Sequence, residues 1–209
     1  MIKFKKNIKP SSKNWISRQW KDKYVKKAKI DGYRSRSAYK LIEIDKKFNI
    51  FLNKKNFLDL GSAPGGWTQV ATKKIKNGKI LSLDLLEMLP IYNSEFILGD
   101  FTKNETQKKI DNFFKSKIDI IVSDMAQNTT GHKKFDSLNT GNLCIEVINF
   151  SKSRLKSNGV LIFKIFMGSI FKEVLLECKR LFSDIKVYKP DSSRSNSKEN
   201  YIICKTFKL

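Results

Sequence analysis

The sequence is poor in residues that staple or metal-clip small folds. Its 209 residues hold 3 cysteines, 4 prolines and a single histidine. Cys144, Cys178 and Cys204 lie far apart with no C-x-x-C pair, which argues against a zinc ribbon or a disulfide framework. They read instead as small buried hydrophobes of a reducing compartment. His132 stands alone in the polar stretch TTGHKKFDS, so it reads as a solvated loop residue and no metal site is expected. No apolar run approaches the roughly 20 residues of a membrane span. The N-terminus, MIKFKKNIKPSSKN, is basic but lacks the apolar stretch and cleavage site of a signal peptide. A cytoplasmic location without a membrane partner is therefore expected. Repeats and low-complexity blocks are missing too. A chain of this length forms one compact unit, burying about 70 % of its unfolded surface without metal or disulfides.

Acidic residues are also scarce, 20 against 42 basic ones, for a net charge of +22. Such an excess on a small protein implies a polyanionic partner, most often nucleic acid. Only Arg18, Arg34, Arg36, Arg154, Arg180 and Arg194 are arginines. The lysine surplus thus has two readings, selection for a polyanion and the compositional bias of an AT-rich genome.

From Asn56 onward the chain alternates between two periods. Short β-rich runs are NFLDL (56–60), KILSLD (79–84), EFILGD (95–100), IDIIVSD (118–124), GVLIFKIF (159–166), IKVYKP (185–190) and YIICKTF (201–207). Most intervening segments carry helical spacing. Thr102, with Glu105 three residues on, predicts a capping box for a helix over 103–115. A second helix is expected over about 138–156, with Asn158-Gly159 as its C-cap. This alternation implies an α/β fold, a doubly wound, mostly parallel seven-stranded sheet. The polar loop DSSRSNSKEN is too short for a crossover helix, so the last two strands should pair antiparallel. Residues 1–50 read as a basic helical extension on a domain spanning 51–209. Two amphipathic helices, broken at Asp31-Gly32, interleave Trp15, Trp20, Tyr24, Tyr33 and Tyr39 with Lys and Arg. That mixture offers stacking faces and phosphate-binding cations, as RNA contact requires, and it also suits helices pinned onto a core.

The stretch FLDLGSAPGGWTQVA places a glycine loop between the first strand and the first following helix. In an open α/β sheet ligands bind there, beyond the strand ends and beside the helix N-terminus. The loop Gly61-Ser62-Ala63-Pro64-Gly65-Gly66 is not G-x-G-x-x-G, and Pro64 removes an N–H that a diphosphate would need. A nicotinamide oxidoreductase is thereby disfavoured. Asp84 ends the second strand, placed for a ribose diol, and Asp100 ends the third, placed for an adenine amino group. Together these features point to S-adenosylmethionine (SAM).

DLGSAPGGW, DLLEM, GDF, SDMA, FKIF and KPDSSRSNSKENYII, with the upstream KDKYVKKA and YRSRSAYKL, resemble the FtsJ-like ribosomal RNA large-subunit methyltransferase E family over residues 12–207. The resemblance implies a Rossmann-like methyltransferase sheet and 2′-O-methylation of a uridine in the A loop of 23S rRNA, in the assembled large subunit. It places Gly65, Trp67, Asp84, Leu85, Asp100, Phe101 and Asp124 at the cofactor. It also aligns Lys40, Asp124, Lys164 and Glu199 with the family's K-D-K-E catalytic tetrad. Two departures stand out: Gln127 where the family has proline after SDMA, and Leu89 where an acidic residue is common.

Methyl transfer to a ribose hydroxyl needs an in-line geometry and an acceptor for the hydroxyl proton. Lys164, inside VLIFKIF, carries a desolvation cost unless it is paired or ends its strand over a cleft. It acts as a base only when neutral. Burial, Lys40 and the cofactor's sulfonium disfavour its charged form, whereas Asp124 and Glu199 favour it. The expected roles are Lys164 as general base, Asp124 orienting it, Lys40 tuning it and contacting substrate, and Glu199 helping to position it. Arg34, Arg36 and Arg194 are expected on RNA phosphates, in a monomer with no DNA partner. The same chemistry on tRNA or an mRNA cap, and a non-catalytic rRNA-binding assembly factor, are the competing readings.

Overall fold

The computed structural model describes residues 17, 19–125, 133–168 and 170–208, with only the backbone along 133–139. Seven strands form one sheet: β1 (Asn56–Leu60), β2 (Lys79–Asp84), β3 (Glu95–Leu98), β4 (Ile118–Ser123), β5 (Leu155–Phe166), β6 (Phe182–Tyr188) and β7 (Glu199–Phe207). Their order is β3-β2-β1-β4-β5-β7-β6; β7 is antiparallel to both neighbours and the other pairs are parallel. Helices α1 (Lys23–Ile30) and α2 (Ala38–Phe48) precede the sheet. Between strands run α3 (Gly66–Lys74), α4 (Asn104–Phe114), α5 (Lys133–Lys152) and α6 (Phe171–Leu181).

Strand alternation divides the core into two layers. On one face Phe57, Ile80, Val122 and Ile162 cluster with Leu41 and Ile44 of α2 and Val70 of α3. On the other, Leu58, Leu81, Ile121 and Phe163 cluster with Ile110 of α4, Val147 of α5 and Val174 of α6. Helix α2 buries Ala38, Leu41, Ile44 and Asp45 along one stripe and stops at Asn49, held in the left-handed region at φ 51°. The three cysteines are all buried and unpaired by disulfide. Among the described residues no helix is long and apolar enough to cross a membrane.

Several lysines serve helix ends. Lys205 donates to the Phe48 carbonyl closing α2, Lys79 to Phe113 in the last turn of α4, Lys117 to Ser153 just past α5, and Lys208 to Lys179 near the end of α6. These ammonium groups satisfy carbonyls that have no partner within their helices and complement the negative end of each helix dipole. Part of the lysine surplus is therefore structural.

Two local expectations fail. Thr102 does not cap α4; its hydroxyl and N–H both donate to Asp100 Oδ1, at 2.8 and 2.9 Å, and the helix begins behind Lys103 with no side-chain cap. Glu105 turns instead to Lys109, at 2.9 Å. Asn158-Gly159 is not a C-cap either, because α5 ends at Lys152 and both residues lie within β5. Between Ile118 and Ile120 of β4 the partner strand advances from Leu155 to Val160, so this stretch of β5 bulges. A Cβ on Gly159 would sit 2.7 Å from Leu155 Cγ, which explains glycine at the bulge.

Candidate active site

Parity carries three chemical groups to one end of one sheet face. Ile120, Val122 and then Asp124 follow one alternation; Val160, Ile162 and Lys164 follow another, and β7 pairs Tyr201 directly with Lys164. Helix α2 lies over this face and delivers Lys40 from above. The result is a compact charge cluster. Lys164 Nζ donates to Asp124 Oδ1 at 3.1 Å and to the Asp124 carbonyl at 2.5 Å. Lys40 Nζ lies 2.7 Å from Glu199 Oε1, 3.0 Å from the Tyr201 hydroxyl and 4.0 Å from Asp124 Oδ2. Tyr201 donates to Asp124 Oδ1 at 2.7 Å, and Ser193 donates to Glu199 Oε1 at 2.9 Å. Burial alone would raise the Asp124 carboxyl, but Lys164 and Lys40, with hydrogen bonds from Tyr201 and Lys164, hold it below the usual carboxylate range.

Glu199, expected to help position Lys164, bonds Lys40 and Ser193. The register explains this: Glu199 pairs with Phe166, one alternation beyond the Lys164–Tyr201 pair. The carboxylate therefore acts on the lysine of α2.

The glycine loop sits beside this cluster. Gly65, at φ 106°, is the residue before α3 and a conformation that side chains rarely adopt. Asp84 Oδ2 accepts from Ala63 N at 2.8 Å and Oδ1 from Leu86 N at 2.9 Å, leaving further lone pairs on both oxygens. Asp100 is oriented in the same way by its bonds to Thr102. Leu85 is exposed, whereas Phe101 is buried against Phe150. Trp67 is 2 % exposed, donates its indole N–H to Ser37 O at 2.8 Å and packs against the Tyr201 ring, so it floors the site.

Beneath the loop, Asp59 is fully buried. Thr68 donates to its Oδ2 at 2.7 Å, while Oδ1 has no partner. Burial, reinforced by the charges of Asp124 and Asp84, raises this carboxyl to about 7. Because the folded value lies above the unfolded one, the cost of Asp59 is absent at low pH and grows between about pH 4 and pH 7. Asp59→Asn is accordingly expected to stabilise the protein by about 2 kcal/mol at pH 8, after allowing for the unpaired amide hydrogens, and by much less near pH 4. Melting temperatures of both proteins across that range check this; a gain independent of pH would reject it.

A profile of the FtsJ-like methyltransferase family matches residues 33–207. The chain belongs to that family. It is 53 % identical over 194 residues to the ribosomal RNA large subunit methyltransferase E of Pelagibacter ubique, covering 93 % of this chain and 96 % of that protein. The protein of the same name from Rickettsia akari is 47 % identical over 208 residues, covering 97 % and 92 %. A crystal structure of a Plasmodium falciparum protein described as a ribosomal RNA methyltransferase superposes with a TM-score of 0.75 at 36 % identity, covering 84 % of this chain and 98 % of that one.

Within this FtsJ-like methyltransferase the RNA-candidate arginines have internal partners. Arg34 donates to the carbonyls of Pro64 (3.3 Å), Leu89 (2.5 Å) and Pro90 (2.7 Å), tying the loop after β2 to the glycine loop. Asp22 caps α1 and pairs with Arg36 (2.8 Å) and Arg194 (3.4 Å), while Arg36 also donates to Ser192 O. This latch anchors the loop that leads into Glu199. Gln127 and His132 lie outside the described residues. Tyr201 was missed by sequence reasoning. Its signal was the spacing Glu199-x-Tyr201 on one strand, which puts both side chains on the same face.

Proposed function

We propose that this chain is a SAM-dependent methyltransferase that modifies the 2′-hydroxyl of a uridine ribose in the A loop of 23S rRNA, within the assembled large ribosomal subunit. The observation that carries the chemistry is Lys164, a lysine at the end of a buried strand, paired to Asp124 at 3.1 Å beside the glycine loop. The rRNA substrate rests on the names of the Pelagibacter and Rickettsia relatives, which match over nearly the whole chain.

The residues present fit the cofactor. Asp84, the last residue of β2, and Asp100, which lies beyond the end of β3 at Leu98 and so does not end that strand as expected, are oriented acceptors suited to a ribose diol and an adenine amino group. The unpartnered Asp59 oxygen beneath the loop lacks a donor of the kind a ligand ammonium or an ordered water supplies. When bound, SAM supplies a methyl group on a positively charged sulfur. Gly61, Ser62, Pro64, Gly65 and Gly66 form the loop that would approach it. Lys164 removes the proton of the 2′-hydroxyl as the oxygen attacks, and Asp124 orients Lys164 through its carboxylate and its carbonyl. Lys40, held by Glu199, supplies positive charge beside the developing oxyanion. The basic segment 1–50, with its lysines and aromatics, contacts the RNA backbone and sets salt dependence.

Asp84→Ala is expected to weaken SAM binding by about 2 kcal/mol, since a charge-assisted acceptor is lost; isothermal titration with SAM checks this, and an unchanged affinity removes Asp84 from the site. The reading as a whole is tested by transferring radiolabelled methyl from SAM to large subunits that lack the A-loop methylation, with tRNA and free rRNA in parallel. Label on one 2′-O-methyluridine of the subunit supports it. Label on tRNA alone keeps the chemistry and overturns the substrate.

A further inference from the structure

Tyr201 is wholly buried, although strand β7 needs only an apolar ring there: its neighbours Ile202 and Ile203 are aliphatic and Trp67 packs 5.6 Å away, centroid to centroid. A phenylalanine would fill the same space without a hydroxyl to satisfy. The hydroxyl is instead fully used, donating to Asp124 Oδ1 at 2.7 Å and accepting from Lys40 Nζ at 3.0 Å. The ring has little freedom. Register holds Tyr201 opposite Lys164, and the indole beside it is itself fixed to Ser37 O.

We propose that Tyr201 is a positioning residue of the active site, whose hydroxyl fixes the Asp124 carboxylate and shares its charge, so that Lys164 does not face an undivided anion. The inference rests on the reading of Lys164 as the general base. Asp124 Oδ1 takes two donors, Tyr201 at 2.7 Å and Lys164 at 3.1 Å, and the shorter bond belongs to the tyrosine. Remove the hydroxyl and that oxygen keeps Lys164 as its one donor, so its whole charge faces the lysine ammonium. Burial, with the charges of Asp124 and Glu199, raises the phenol well above its ordinary range, so Tyr201 stays a donor and is not a second base.

The charged groups around Asp124 and Tyr201 come from every packed element: Lys40 from α2, Arg36 from the turn before it, Asp59 from β1, Lys164 from β5 and Glu199 from β7. The two lysines and the carboxylates of Asp124 and Glu199 balance, and the phenol between them adds hydrogen bonds without adding charge.

The test is Tyr201→Phe, assayed for kcat and both KM values from about pH 6.5 to pH 9.5 on large subunits lacking the methyl group, with melting curves and Lys164→Ala in parallel. The expected result is a folded protein with KM values within about twofold of wild type, kcat at pH 7.5 reduced by about 10- to 100-fold, and a rate that reaches its plateau at higher pH. An unchanged kcat and pH profile overturns the inference. So does a rate that falls only in step with lost folded protein or lost SAM affinity, because that is a packing role. If Lys164→Ala remains active on the same substrate, it is the general-base reading that fails, and the two failures are told apart.

Discussion

Lys164→Ala is expected to reduce methyl transfer by at least about 10³-fold in kcat while SAM binds with near wild-type affinity, as loss of a general base predicts. The fold should tolerate the change. Asp124 would keep Tyr201 at 2.7 Å and Lys40 at 4.0 Å, so its carboxylate is not left alone. Lys164→Arg sharpens the point. A guanidinium preserves the cation and its donors, yet it does not release a proton at any working pH. Near-total loss in both variants, measured by single-turnover transfer at saturating SAM, identifies proton removal as the function of Lys164. Substantial activity in the arginine variant would assign it an electrostatic role, and simultaneous loss of SAM binding in the alanine variant would argue for a structural one.

The second large effect belongs to Asp124. Its replacement by alanine removes the anion between two lysines whose side chains are 9 % and 11 % exposed. Lys164 would retain only a backbone carbonyl, and Tyr201 would lose its acceptor. Breaking a buried pair from one side costs about 3–5 kcal/mol, and partial exposure of Asp124 brings the expected loss nearer 2–4. For a chain of this length that corresponds to a melting temperature lower by roughly 5–15 °C. Methyl transfer should fall by about 10³-fold or more, because the base loses its orientation as well as its partner. Thermal unfolding and the transfer assay, run on the same preparation, check both halves. Activity within tenfold of wild type would remove Asp124 from the catalytic centre.

Both effects trace to a cluster assembled by strand parity, and parity is where sequence and structure agree best. β1 and β2 fall on the β-rich runs NFLDL and KILSLD, and the last strand is antiparallel, as its short polar loop requires. The turn at the glycine loop and the place of Asp84 at the end of β2 were legible because each is a local pattern, whereas Asp100 falls just beyond β3. The internal partners of the arginines were not legible. Arg34 and Arg36 read as phosphate contacts from their basic surroundings, yet their guanidinium groups meet carbonyls and Asp22 from distant parts of the chain. Thr102 misled for a related reason, since a capping hydroxyl and a hydroxyl bonding a neighbouring aspartate have the same local sequence.

By itself the sequence determined the order of strands and helices, the two-faced strands that make the core, and the presence of a lysine inside an apolar strand. These follow from periodicities of two and 3.6 residues and from turn chemistry, which act over a few residues. Only the tertiary structure decided which charges meet. The pairing of Glu199 with Lys40, the seat of Tyr201 against Asp124, and the division of lysines between helix ends and open surface depend on register and crossing geometry among segments far apart in the chain. A one-residue change in the β5–β7 register would turn Tyr201 to the opposite face and leave Asp124 without it, while every local pattern in the sequence stayed the same.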